Sequence, residues 1–219
     1  MRVSQSAENY LKAIYHLSEK TDKPISTNQI AKKMQTKAAS VTDMVKKLSE
    51  KELIHYAKYK GVFLTNLGKA TATDLIRKHR LWEVFLLEKL NFAWDEVHDL
   101  AEELEHIKSD KLTNKLDEFL GHPKFDPHGD PIPDAQGNIQ TREQSILSNL
   151  KVGDKGHVVG VREHSKSFLQ FLVQLNLNLG AHIEILEIYE YDQSLMVVIN
   201  KSQKSIISNK VSQNLFITI

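Results

Sequence analysis

The chain has 219 residues, 41% of them apolar and 26% charged, the balance of a folded protein with one large domain or two to three small ones. It has no cysteine, which excludes disulfide scaffolds, thiolate metal sites, iron–sulfur clusters and cysteine nucleophiles. No apolar run reaches the roughly 18 residues a membrane span needs, and Met1–Ser6 lead into no apolar stretch, so neither a membrane segment nor a secretory leader is expected and a reducing cytoplasm is the simplest setting. The net charge of +1 hides a gradient: residues 1–75 carry +6, residues 76–140 carry −6 and residues 141–219 carry +1. A basic first third facing polyanions and an acidic middle facing cations follow from that division.

Three helices are expected in the first 51 residues. Tyr10, Leu11, Ile14, Tyr15 and Leu17 fall at helical spacing after Ser4-Gln5-Ser6, and Asp22-Lys23-Pro24 breaks that run. Ser26-Thr27 offers an N-cap to a short helix carrying Ile30, Ala31 and Met34. Gln35–Ala38 then links it to a third helix with Val41, Met44, Val45 and Leu48 on its inner face, a helix-turn-helix. Leu53–Ala57 and Val62–Thr65 flank Lys58-Tyr59-Lys60-Gly61, which reads as a β-hairpin with a basic tip, the wing of a winged helix-turn-helix. One long helix is expected from Asn66 to about Leu90, and a second runs through Trp94, Val97, Leu100, Ala101, Leu104 and Ile107. A third passes through Leu112, Leu116, Phe119 and Leu120 to Gly121. Residues 122–141, rich in Pro, Gly, His and Asp, read as a loop. From Leu147 onward, Val158–Val161, Ile183–Ile188 and Met196–Ile199 are β-rich and fit a small barrel of SH3 type. The fold class expected is mainly α with a small β domain.

The sharpest chemical signal lies in the acidic third. His79 and Glu83 stand four apart on one expected helix, and His98, Glu102, Glu105 and His106 share one side of the next. Imidazoles and carboxylates in register across a helix pair make a mixed nitrogen–oxygen site for Mn²⁺, Fe²⁺, Co²⁺, Ni²⁺ or Zn²⁺, the carboxylates leaning toward Mn²⁺ and Fe²⁺. The bland alternative for each residue singly is a solvated charged face. Asp126-Pro127-His128-Gly129-Asp130 is either turn chemistry or part of a metal site. On the third helix, Lys37, Ala39, Ser40, Thr42, Asp43, Lys46 and Lys47 occupy the exposed face. Its small and polar side chains (Lys37, Ala39, Ser40, Thr42 and Asp43) suit the major groove, and Lys46 and Lys47, with Lys58 and Lys60 of the hairpin, suit phosphates. A winged helix used for protein contacts is the competing reading.

The chain resembles the diphtheria-toxin-repressor / manganese-transport-regulator family of metal-dependent transcriptional repressors. The resemblance rests on Glu8–Tyr15, Ala39–Thr42, Gly61–Thr65, Arg77–Glu83, Val97–Asp99, Glu105-His106 and Asp126–Pro133. It implies a DNA-binding winged helix over 1–68, a helical dimerisation and metal-binding domain with linker over 69–140, and an SH3-like (FeoA-like) domain over 141–219. It further implies a primary metal site at Asn9, Glu102, Glu105 and His106. An ancillary site falls on His79, Glu83 and His98, with Asp126 and His128 as related ligands and extra ligands near Glu163, His164 and Ser165. Asn9 stands where iron-sensing relatives have methionine and manganese-sensing ones aspartate, so its neutral carbonyl oxygen or the neighbouring Glu8 supplies the first-helix contribution. Glu102 stands where iron sensors carry cysteine, which makes Mn²⁺ the first expectation and Fe²⁺ the alternative. The function implied is repression of metal-uptake genes by a cytoplasmic homodimer on an inverted-repeat DNA operator, without enzymatic activity. The rival readings are a metal-independent winged-helix regulator and a His/Glu metallohydrolase; the latter lacks an HExxH-type motif and a pocket-forming α/β pattern.

Overall fold

A computed structural model describes residues 3–57 and 60–219. The chain divides into two compact units, one formed by Met1–His79, Leu104–Lys108 and Pro133–Asn138, the other by Arg80–Glu103, Ser109–Ile132 and Ile139–Ile219.

The first unit begins with α1 (Gln5–Ser18), whose N-cap Ser4 accepts a hydrogen bond from the Ala7 amide. Leu11 and Ile14 turn inward and are fully buried. The short α2 (Thr27–Lys33) starts in a capping box: the Ser26 hydroxyl accepts from the Gln29 amide and the Gln29 side chain accepts from the Ser26 amide. After a link containing Gln35 at φ 51°, α3 (Ala38–Glu50) presses Val41, Val45 and Leu48 into the core shared with α1 and α2. Strands β1 (Ile54–Ala57) and β2 (Gly61–Leu64) pair antiparallel, Ile54 opposite Leu64 and Tyr56 opposite Val62. Ile25 adds two backbone hydrogen bonds to Val62, which ties the hairpin to the chain just ahead of α2. Lys58 and Tyr59 of the expected tip lie outside the described residues.

A single helix, α4 (Asn66–Leu90), follows as expected. Gly68 opens it because a Cβ there would stand 1.8 Å from the Leu53 carbonyl oxygen. The next helix differs from the sequence expectation: α5 (Val97–Leu104) ends before Glu105, and Glu105-His106 form a turn instead of a continued helical face. Two causes act together. Ser109 caps the following α6 (Asp110–Phe119) by accepting from the Leu112 amide, so the chain must leave the helix beforehand. The Glu105 and His106 side chains also find stronger partners elsewhere than the solvent beside a helix would provide.

In the second unit Leu81, Val84, Leu116 and Ile132 make one small cluster. The larger core belongs to an antiparallel six-stranded sheet, ordered β3-β8-β4-β5-β6-β7. Its strands are β3 (Ser145–Ile146), β4 (Lys155–Val161), β5 (His182–Ile188), β6 (Leu195–Ile199), β7 (Gln203–Ile207) and β8 (Leu215–Thr218). Helix α7 (Lys166–Gln174) lies between β4 and β5 in sequence and contributes Leu169 and Leu172 to that core. A final short helix, α8 (Asn209–Ser212), precedes β8. The β-rich SH3-like expectation is met; α7 and the short strands β3, β7 and β8 carried no periodic signal long enough to be read beforehand.

Candidate metal centres and nucleic-acid interface

In the first unit, α1 and the turn after α5 bring four titratable side chains together with His79 of α4. Both oxygens of Glu105 accept from the Lys12 ammonium, at 2.6 and 2.7 Å. His79 Nδ1 donates to Glu105 Oε2 at 2.6 Å. Burial pushes the Glu105 carboxyl up, but the His79 hydrogen bond and the Lys12 charge outweigh it and hold the group below the ordinary carboxylate range. His106 Nδ1 donates to Glu8 Oε2 at 2.7 Å, and its other ring nitrogen stands 3.8 Å from Glu105 Oε1. Lys108 lies 3.5 Å from the second Glu8 oxygen. Asn9 Oδ1 is buried and has no hydrogen-bond partner among the described residues. A buried carbonyl oxygen without a donor costs about 1–3 kcal/mol, and a cation would satisfy it. Glu102 stands exposed on α5, three residues before Glu105.

A second centre is confined to the second unit. Glu83, Asp126 and His128 are buried, and each offers a ligand atom within 4.8 Å of the others. Glu83 Oε1 accepts from His98 Nδ1 at 3.0 Å, and Oε2 lies 3.4 Å from His128 Nδ1. His128 Nε2 faces the Trp94 carbonyl at 3.3 Å, so the ring has acceptors on both sides. Burial pulls the His128 pKa down, yet the hydrogen bond and charge of Glu83 carry it above the ordinary imidazole value. Asp126 is pushed up to about 8, first by burial and then by the charges of Glu83 and Asp130, with Arg80 only partly offsetting them. In the metal-free protein, the protons that Asp126 and His128 hold at raised pKa neutralise the clustered carboxylates; a divalent ion would displace those protons and take over that role. The donor set is oxygen and imidazole, which fits Mn²⁺ or Fe²⁺.

The loop that delivers Asp126 and His128 is both turn and site. Asp126 Oδ1 accepts from the His128 and Asp130 amides, at 2.8 and 3.0 Å. Gly129 sits at φ 87°, where a Cβ would lie 2.1 Å from the Val159 carbonyl oxygen. Arg142 braces the loop by donating to the Gly129 carbonyl at 2.8 Å and stacking 4.0 Å over Phe125. His164 stacks on His128 with ring centroids 4.8 Å apart; burial and then the His128 charge depress it, Asp130 opposing. Glu163 instead accepts from the neighbouring Ser165 hydroxyl at 2.6 Å. Sequence reasoning did not single out Lys12, Trp94, Arg80 or Arg142. Lys12 alone carried a local signal, standing four residues after Glu8 on one helix.

Lys37, the N-cap of α3, and Ala39, Ser40, Asp43, Lys46 and Lys47 on the helix are exposed, and Lys60 is exposed just before β2. Thr42 is half-buried, and its hydroxyl donates to the Ala38 carbonyl at 2.9 Å. Thr42 and Lys60 line a groove of about 320 Å³ together with Ser26, Thr27 and Tyr56. Lys58 falls outside the described residues.

Comparison with known proteins gives a consistent result. Residues 2–62 match the family profile described as "Iron dependent repressor, N-terminal DNA binding domain". Residues 65–134 match "Iron dependent repressor, metal binding and dimerisation domain", and residues 146–219 match "FeoA domain". A manganese-dependent transcriptional repressor solved in complex with manganese is 32% identical, with a TM-score of 0.83, 96% of this chain covered and 98% of that one. The manganese regulator SloR is 35% identical, with a TM-score of 0.73 and 97% of each chain covered. The iron-dependent repressor IdeR of Mycobacterium leprae is 33% identical over 128 residues, 58% of this chain and 55% of that protein. The chain thus spans little more than half the length of that curated relative. A winged helix, a helical metal-binding domain and an FeoA-type sheet in this order define a metal-responsive DNA-binding repressor. The chain belongs to the diphtheria-toxin-repressor / manganese-repressor family of metal-dependent transcriptional repressors.

Proposed function

We propose that this chain is a cytoplasmic, homodimeric repressor that binds an inverted-repeat operator in double-stranded DNA when Mn²⁺ occupies its helical domain, with Fe²⁺ the alternative ion and no catalytic role. The observation that carries this reading is the buried Asn9 Oδ1, without a hydrogen-bond partner among the described residues, on the helix that also brings Glu8 to His106 and Lys12 to Glu105. Asn9, Glu105 and His106 are assigned as primary ligands, with Glu102 as the fourth. Glu8 is the orienting partner of His106, since it accepts the Nδ1–H hydrogen bond and leaves Nε2 as the nitrogen that would coordinate. Glu83, Asp126, His128 and His98 are assigned to the ancillary centre, with His79 one helical turn before Glu83 as its further ligand. The bound ion supplies a positive charge that several oxygen and nitrogen donors share.

The residues themselves explain how occupancy reaches DNA. Helix α1 packs on α2 and α3 through Leu11, Ile14, Ile30 and Val41, so holding Asn9 against the Glu105–His106 turn fixes the helix-turn-helix with it. Lys37, Ala39, Ser40, Thr42 and Asp43 face the bases, and Lys46, Lys47, Lys58 and Lys60 face phosphates. Such coupling is a matter of linkage: a switch from 1:99 to 99:1 needs about 5.5 kcal/mol of differential binding, within reach of several metal–ligand bonds. The test is a titration of Mn²⁺ into metal-free protein while binding to DNA from its own promoter region is followed. Saturable Mn²⁺-dependent binding supports the reading; equal binding in chelator and in Mn²⁺ overturns it in favour of a metal-independent regulator.

A further inference from the structure

The outer face of the C-terminal sheet carries a histidine pair that neither metal centre uses. His157 of β4 and His182 of β5 are register partners in an antiparallel ladder, so their side chains leave the sheet side by side on the same face. Their sequence neighbours Val158 and Ile183 are buried in the core, which places the histidines on the opposite, outward face. The rings meet edge to face with centroids 5.4 Å apart. Around them, the polar groups are accounted for. The His182 amide donates to Asn200 Oδ1 at 3.0 Å, and the His182 carbonyl accepts from the Asn200 amide at 2.8 Å. The next pair on this face, Lys155 and Glu184, is an ion pair at 3.0 Å. The exception is His182 Nδ1, which is buried and has no hydrogen-bond partner among the described residues.

We propose that His157 and His182 form a separate surface site for a borderline transition-metal ion of the Zn²⁺ type, distinct in chemistry from the two oxygen-rich centres. Two imidazoles beside a carboxylate already paired with Lys155 favour ions high in the Irving–Williams order over Mn²⁺. A single ion bonded to two imidazoles at about 2.0–2.1 Å each needs their nitrogens no more than about 4 Å apart. The rings rest edge to face with centroids 5.4 Å apart, and rotation of the exposed His157 ring about its broad χ2 torsion brings a nitrogen of each to that separation. Ligands from adjacent strands are held by the ladder itself, so little side-chain ordering remains to oppose binding. A turn of the His182 ring about χ2 carries the unsatisfied Nδ1 out of its buried position to the ion, where coordination replaces a missing hydrogen bond. Water fills the remaining positions, and the ion clamps β4 to β5.

The experiment counts Zn²⁺ bound per full-length chain, in the presence of Mn²⁺ sufficient to saturate sites that accept it, for the wild type, H157Q and H182Q. The wild type is expected to bind one more Zn²⁺ than either variant, with the Mn²⁺ count unchanged in all three and the same one-ion increment persisting in an E105Q background. Ring-nitrogen NMR on the wild type alone gives a second measurement that no variant's folding can spoil: Zn²⁺ should shift the His157 and His182 resonances together. Equal Zn²⁺ counts in all three proteins, loss of the increment in one variant only, or unmoved His157 and His182 resonances would each overturn the assignment. None of these outcomes bears on the Mn²⁺-dependent DNA binding proposed above.

Discussion

Asp126 and His128 show how burial and clustered charge set protonation before any ion arrives. An aspartate pushed up to about 8 holds a proton in the folded, metal-free protein that the unfolded chain has already released above its ordinary value of 3.8. The native state therefore binds more protons across that window, and stability falls as pH rises from about 4 toward 8. His128, whose pKa is also raised, acts in the same direction: its stabilisation is complete below the ordinary imidazole value and is lost as pH rises through the elevated one. In chelator, urea unfolding between pH 5 and 8 should show stability declining with pH, and D126N should flatten that decline. A wild-type curve no steeper than that of D126N would contradict the raised aspartate. At the primary centre, E105A or H106A is expected to abolish Mn²⁺-stimulated operator binding while leaving helicity intact by circular dichroism. Unchanged metal-stimulated binding in both variants would remove these residues from the site.

Among the elements, α3 and the Asp126–Asp130 loop make contrasting demands. The outer face of α3 is dispensable to the fold, because Val41, Val45 and Leu48 on its other side do the packing. Replacing Lys46 or Lys60 with alanine should thus spare stability. It should weaken binding to every DNA sequence and reduce the slope of log K against log salt by about one unit per phosphate contact. A bulky residue at Ala39 should instead erase operator preference while keeping non-specific affinity, and footprinting with salt titrations separates the two outcomes. A K60A protein with the wild-type slope would mean that the hairpin makes no phosphate contact. The loop tolerates far less. Gly129→Ala places a methyl group against the Val159 carbonyl at a positive φ, and a loss of about 2 kcal/mol or more is expected from strain and clash together. Urea midpoints of G129A and wild type in chelator measure it, and a difference under about 0.5 kcal/mol would show that β4 can shift to accommodate the group.

For the whole molecule, the expectation concerns symmetry. One helix-turn-helix per chain in a two-fold dimer reads an inverted repeat whose half-sites lie about one helical turn, or a multiple of it, apart. A footprint in saturating Mn²⁺ should show two equivalent protected half-sites, and occupancy of a single unpaired half-site would argue for a monomer on DNA. Ion choice belongs to this scale as well, because activation depends on which state an ion favours and not only on how tightly it binds. Mn²⁺ is expected to activate at least as well as Fe²⁺ under anaerobic conditions, given two centres built from oxygen and imidazole donors. Activation curves for both ions on one operator decide the matter.

The helix-turn-helix, the long α4, the β-rich final third and the concentration of imidazoles and carboxylates in residues 79–128 were legible in the sequence, because each rests on local periodicity, capping or residue type. The N-cap at Ser26 and the helix end at Gly121 are such local signals, and both appear as expected. The grouping of these side chains was not legible from local spacing, and only the family resemblance separated Glu105 and His106 from His79, Glu83 and His98. Helical spacing placed Glu105 and His106 on the same face as His98 and Glu102, whereas the chain leaves α5 at Leu104. Glu105 then meets Lys12 and His79, and His106 meets Glu8. Partners some 93 and 98 residues apart are selected by where a buried charge can be neutralised, a condition no local pattern encodes. The same holds for Asp126 and His128, for which local sequence favours turn chemistry; the folded chain sets Glu83 beside them. Residue types and periodicity determined what chemistry this protein can carry; only the tertiary structure decided which groups share a site, since burial and long-range charge exist only once the chain has folded.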